Sequence, residues 1–121
     1  TDTRLNNKDE VLALRSPNTP ETLAIDQHFL LKNRIYHDKV GSQRFVVFTD
    51  ASGANRVYGN KGLRFTNYDG NDQVTDHKGQ HWILLEDRLE SASGQTLTRL
   101  PARRAFWFGW HAAYNDTRLV K

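Results

Sequence analysis

Turn-forming clusters punctuate the middle of this chain at roughly 8–12-residue intervals, and no other feature narrows the possible folds so far. Gly41-Ser42, Asp50 to Ala54, Tyr68 to Asp72, His77 to Gln80 and the Ser-Ala-Ser-Gly stretch from Ser91 all carry turn residues. Between them lie short segments rich in β-branched and aromatic residues, among them Arg34 to Val40, Arg44 to Thr49 and Asn55 to Tyr58. Helices need longer uninterrupted stretches, and a parallel α/β sheet needs crossover segments that are not there. The pattern predicts a mainly β fold, either a small barrel or a curled antiparallel sheet. No dinucleotide-type or phosphate-loop glycine pattern occurs.

Two segments depart from it. "LAIDQHFLLKN" reads either as a short strand or as a short helix through Leu31, for which Asp26 suits the N-cap and Asn33 the end. Ala102 to Tyr114 has no Pro and no alternation, and its Ala content favours helix. On a helical wheel Ala102, Ala105, Gly109 and Ala113 form a small face, while Arg103, Trp107, Trp110, His111 and Tyr114 fall on the other side. The expectation is a helix over 102–114 whose small face lies close on a sheet and which closes the fold as a core element.

The 121 residues suit one domain over 1–121, with one repeat or fragment of a longer chain as the other reading. The chain starts at Thr1 and has no Met, as a processed or partial chain would. No cationic-then-apolar leader is visible, and no apolar run approaches the about 20 residues of a membrane-spanning helix. Asp-Thr-Arg-Leu occurs at Asp2 to Leu5 and again at Asp116 to Leu119, an echo that either marks equivalent positions in an array or arises by chance.

With no Cys, the chain has no disulfides, thiolate nucleophiles or Cys-based metal sites. Seventeen Lys and Arg against fourteen Asp and Glu give a formal charge of +3, a weaker excess than nucleic-acid binders concentrate. Arg99, Arg103, Arg104 and Arg118 near Trp107 and Trp110 would suit single-stranded nucleic acid only if the Trp faces were exposed. A helix that buries them argues against nucleic acid as a partner, with Arg103 stacked on Trp107 as a structural cation–π pair.

His77 and His81 flank a turn, with Asp76 available as a third, hard ligand. Two imidazoles without a third ligand are too few for a zinc or copper site, so no cofactor is expected and copper or zinc stays a secondary reading. Asp38 either accepts donors at its turn or orients a distant His such as His111 for acid–base work. No Gly-x-Ser-x-Gly elbow supplies a nucleophile.

"LPARRAFWFGWHAAYNDTRLV" resembles the closing motif of the bacterial family of domain of unknown function 3179. Trp107, Trp110, Asp116 and Thr117 match, and Asn115 stands where Pro is usual. "RIYHDKVGSQRFVVFTD" resembles an internal segment of the family at Asp38, Val40, Gly41, Val46 and Val47. Many members carry a Cys-Pro-x-Cys element after the Val-Val strand; this chain has "FTDASGANRVYG" there, so no thiol role carries over. The resemblance implies a mainly β domain with a terminal helix, often in exported proteins of periplasmic or extracellular location.

The leading expectation is a non-catalytic binding or assembly module that meets a protein partner or other domains of a longer chain. Its candidate contact residues are Asp38, Trp82, Arg103, Trp107, Trp110, His111 and Tyr114. The alternative is a metal-binding or acid–base enzyme domain using Asp38, His77, His81 and His111.

Overall fold

A computed structural model describes residues 3–121. Twelve strands and two short helices follow one another, and the strands form three sheets. The first sheet has the order β11 (Arg103–Phe106), β1 (Glu10–Arg15), β2 (Thr22–Asp26), β12 (Arg118–Val120). The second is the meander β3 (Ile35–Val40), β4 (Gln43–Thr49), β5 (Asn55–Gly59). The third is the meander β6 (Phe65–Tyr68), β7 (Gln73–Asp76), β8 (His81–Leu84), β9 (Arg88–Ser91), β10 (Thr96–Thr98). Neighbouring strands are antiparallel except β12, which lies parallel to β2. The sheets are curled but do not close into a barrel, so the curled antiparallel alternative is the correct one.

Alternation along the strands stacks these sheets. In β4, Phe45 and Val47 join a core with Leu12, Leu14, Leu23 and Ile25 of the first sheet. Val46 and Phe48 point the other way, into a core with Val74, Trp82, Leu84 and Leu89 of the third. A strand buried on both faces reads as a continuous apolar run, and "FVVF" is that run. The first sheet is also double-sided: Val11, Ala13 and Ala24 face a third cluster with Trp107 and Trp110. The order through the molecule is therefore helix, first sheet, second sheet, third sheet.

The loops of the meanders repeat one device. Asp50-Ala-Ser-Gly-Ala, Asp76-His-Lys-Gly-Gln and Ser91-Ala-Ser-Gly-Gln each close between first and fifth residues and place Gly at the fourth with φ of 91°, 82° and 90°. The side chain of the first residue accepts a hydrogen bond from the fifth residue's N–H in all three, at 3.0 Å. This is a turn followed by a left-handed residue, the common three-residue hairpin link. Gly41 is fixed for a second reason as well: with φ of 60°, a Cβ there would stand 2.3 Å from Ser16 Oγ.

Helix α1 (Gln27–Lys32) is bounded as the sequence predicts, with Asp26 accepting from His28 N–H at 3.3 Å and Asn33 at the C-cap. The terminal segment differs from expectation. Arg103–Phe106 is strand β11, paired with Ala13 to Glu10, and only Trp107–Ala113 is helix α2. An edge of β1 was free to take a partner, and pairing outweighed the weak helical propensity of "RRAF". The Trp107 and Phe108 N–H groups donate to the carbonyls of Asp9 and Asn7 at 2.8 and 3.1 Å, which fixes where the helix begins.

The packing face is also reversed. Gly109 and Ala113 are exposed, whereas Trp107 and Trp110 are buried. The small residues that admit the helix are Ala13 and Ala24 of the sheet. No helix among the described residues is long and apolar enough to cross a membrane. In the terminal echo, Asp2 lies outside the described residues; Leu5 and Leu119 both pack on the Trp107–Trp110 cluster.

Candidate functional site

The 99–102 link between β10 and β11 crosses beside Leu14 and Arg15 at the end of β1, leaving a groove of about 550 Å³. Val40 and Gln43, at the end of the β3–β4 hairpin, form one wall; Trp110 and Tyr114 of α2 form the other. Tyr114 packs on Trp110 in a tilted arrangement, with 4.3 Å between ring centroids. Above this apolar floor lie two cations, with Arg103 over the Trp110 ring and Arg15 over Tyr114, each 5.6 Å from the centroid. Neither guanidinium has a carboxylate within ion-pair distance among the described residues. An apolar concavity with a few convergent polar groups is the ordinary form of a ligand site.

Three residues singled out in the sequence, Arg103, Trp110 and Tyr114, thus converge here, although Arg103 stacks on Trp110 and not on Trp107. The cation over Trp107 is Arg4, at 5.1 Å. Arg15, Gln43 and Leu100 were missed: they sit at strand ends or in a link, and only tertiary packing brings them together.

Trp82 serves the core: it is 2% exposed and donates from Nε1 to Asp76 Oδ2 at 2.9 Å. Asp76 is 2% exposed and also takes the N–H groups of Lys78 and Gln80. That carboxylate is a loop staple, hydrogen-bonded to one indole and two backbone amides. His77 Nδ1 meets the Arg64 backbone, and His81 Nδ1 meets Thr75 Oγ1 at 3.3 Å. Among the described residues no three His, Asp or Glu side chains gather as metal ligands do.

Asp38 does not orient His111, whose ring instead lies 5.1 Å from that of Trp107. It accepts from Tyr36 Oη at 2.6 Å and takes a two-pronged contact from Arg118, both N–O distances 3.1 Å. The Lys39 N–H adds a contact at 2.7 Å. Burial pulls the Asp38 carboxyl upward, but Arg118, Tyr36 and the Lys39 amide together hold it below the usual range. Burial and then Asp38 push the Tyr36 hydroxyl up. The arrangement ties β12 to β3 and is structural.

Asp38→Asn is expected to cost about 1.5–3 kcal/mol at neutral pH, as loss of a hydrogen-bonded charge does. Because the folded carboxyl titrates low, its contribution is complete above the unfolded value of about 3.9 and fades as pH falls through the folded one. Urea midpoints of both proteins measured from pH 7 downward check this; the gap should close only in acid.

The cationic surface proposed for nucleic acid lacks its stacking platform, since Trp107 and Trp110 are 1% and 2% exposed. Exposed aromatic area lies instead on Phe106 and Phe108, stacked at 6.2 Å.

Fold and groove together define a class: stacked β meanders, capped by a short aromatic helix beside an arginine-flanked apolar cleft. The chain belongs to the family described as Protein of unknown function (DUF3179), whose model matches residues 1–117. No curated protein and no solved structure matches it. Most residues that carry the likeness are structural. Val40, Val46, Val47, Trp107 and Trp110 are core, Thr117 Oγ1 accepts from Trp110 Nε1 at 3.0 Å, and Gly41 is required by its fit.

Proposed function

We propose that this is a non-catalytic binding module of an exported bacterial protein, and that the groove receives an acidic, apolar segment of a protein partner. The observation that carries it is the pair of guanidiniums, Arg15 and Arg103, each 5.6 Å over the ring of Tyr114 and Trp110 respectively and without a carboxylate partner among the described residues. Ring stacking fixes both cations at the rim of an apolar floor, which favours a ligand with Asp, Glu or a chain-terminal carboxylate beside apolar side chains. A volume of about 550 Å³ accommodates two or three such side chains. Export and a periplasmic or extracellular location rest on the family resemblance alone.

Selection of a random peptide library on the purified protein tests the reading. Enriched peptides should pair carboxylates with apolar residues and perturb amide resonances of Leu14, Leu100 and Tyr114. Arg15→Glu with Arg103→Glu should weaken them by about a hundredfold, with a shallower salt dependence. No enrichment, or resonances perturbed elsewhere, would sink it.

A further inference from the structure

On the opposite face of the same β3–β4 hairpin lies a second, polar recess of about 330 Å³, between that hairpin and the 60–64 link. It is lined by His37, Asp38, Lys39, Arg44, Asn60, Gly62 and Arg64. Lys39 and Arg44 are direct cross-strand partners, so alternation puts both side chains on one face. Like charges placed opposite one another weaken a sheet. No carboxylate lies within ion-pair distance of Lys39, Arg44 or Arg64 among the described residues. Asp38, the single acid in the lining, turns its side chain to the opposite face of β3 by alternation and is held there by Arg118.

Two local features position donors in the recess. Gly62 has φ of 79°, and a Cβ there would lie 3.1 Å from Arg44 Nη1; the guanidinium is seated against bare backbone. His37 Nε2 accepts from Phe65 N–H at 3.0 Å, which assigns the proton of the neutral ring to Nδ1. Burial, then the charge of Arg64, keeps that ring below its ordinary value and so neutral at pH 7.

We propose that this recess binds a tetrahedral phosphate-class oxyanion, either free or as the end group of a phosphomonoester. Three cations and one imidazole line it from two strands and a loop. A planar carboxylate with two oxygens cannot meet donors from so many directions, whereas a phosphate offers several acceptor oxygens and up to two charges.

Calorimetric titration with inorganic phosphate, with glycerol phosphate, and with vesicles containing phosphatidic acid distinguishes the possible sources. At least one should saturate with a dissociation constant of about 1 mM or tighter. Arg44→Gln and Arg64→Gln should each weaken it about tenfold, while Lys32→Gln on α1 leaves it unchanged. Circular dichroism of each variant separates lost binding from lost fold. Non-saturating heats with all three probes would overturn the proposal. So would equal losses from Lys32→Gln and Arg44→Gln, because they would mean attraction to net charge alone. Neither result bears on the apolar groove across the hairpin.

Discussion

Trp82→Ala is expected to destabilise the protein by about 3–5 kcal/mol, the range for deleting a large buried aromatic. The indole is 2% exposed and meets Phe65 edge-to-face, with ring centroids 5.9 Å apart. Its loss leaves a cavity where the third sheet packs on the second. It also strips the buried Asp76 Oδ2 of its side-chain donor while Oδ1 still holds the 76–80 loop. Against a total of about 5–15 kcal/mol, such a loss removes much of the stability.

Urea unfolding followed by far-ultraviolet circular dichroism gives the value directly. Trp82→Phe keeps most of the ring and removes the donor, so it should cost about 1–3 kcal/mol. Burial pulls Asp76 upward, yet Trp82, Gln80 and Lys78 hold it below the usual carboxyl range. Its contribution is present above the unfolded value of about 3.9 and lost as pH falls through the folded one. Without the indole donor, acid loss should begin at a higher pH. A Trp82→Ala midpoint close to wild type would show that the two sheets do not depend on this contact.

The second large effect separates two tryptophans of equal burial. Trp110→Ala should also cost about 3–5 kcal/mol. The ring supports Tyr114 and Arg103, and its Nε1 donates to Thr117 Oγ1, the residue before β12. Trp107 is 1% exposed, but its Nε1 is buried and has no hydrogen-bond partner among the described residues. Trp107→Phe therefore deletes a donor that already carries a desolvation penalty, whereas Trp110→Phe strands Thr117. Trp110→Phe should be the more damaging by about 1–3 kcal/mol in parallel urea titrations. The reverse order would mean that the Thr117 contact does not anchor the chain end. Loss of the groove's floor in Trp110→Ala should also abolish peptide capture, whereas Trp107→Phe should retain it.

Much of the second and third sheets was legible because their causes are local. Gly41-Ser42, Asp50 to Ala54 and His77 to Gln80 act through their own φ angles and side-chain caps, and the strands between them announce themselves by residue type. Asp26 and Asn33 bounded α1 for the same reason. The repeated Asp/Ser-x-x-Gly-x loop was present in the sequence as a pattern but needed its hydrogen bonds to be recognised as one device.

The terminal segment was misread where the cause was distant. "RRAF" has no strong preference of its own, and the free edge of β1, about ninety residues earlier in the chain, decided that it became a strand. The same dependence on distant partners explains the site residues. His77 and His81 formed only a secondary metal reading for want of a third ligand, and the partners of Asp76 beside them, the buried Trp82 indole and two loop amides, became visible only in the fold.

By itself the sequence determined the mainly β class, the hairpin positions, the caps available to a small first helix and the burial of the terminal tryptophans. Those follow from turn chemistry, capping and the cost of exposing large rings, all effects that act within a few residues. Only the tertiary structure decided which strands became neighbours, that the sheets stack without closing, and that Ala13 and Ala24 form the surface under α2. It alone brought Arg15 and Arg103 to one groove and Lys39, Arg44 and Arg64 to one recess. The reason is that stacking of sheets and convergence of charges depend on long-range pairing, which no local pattern in the chain encodes.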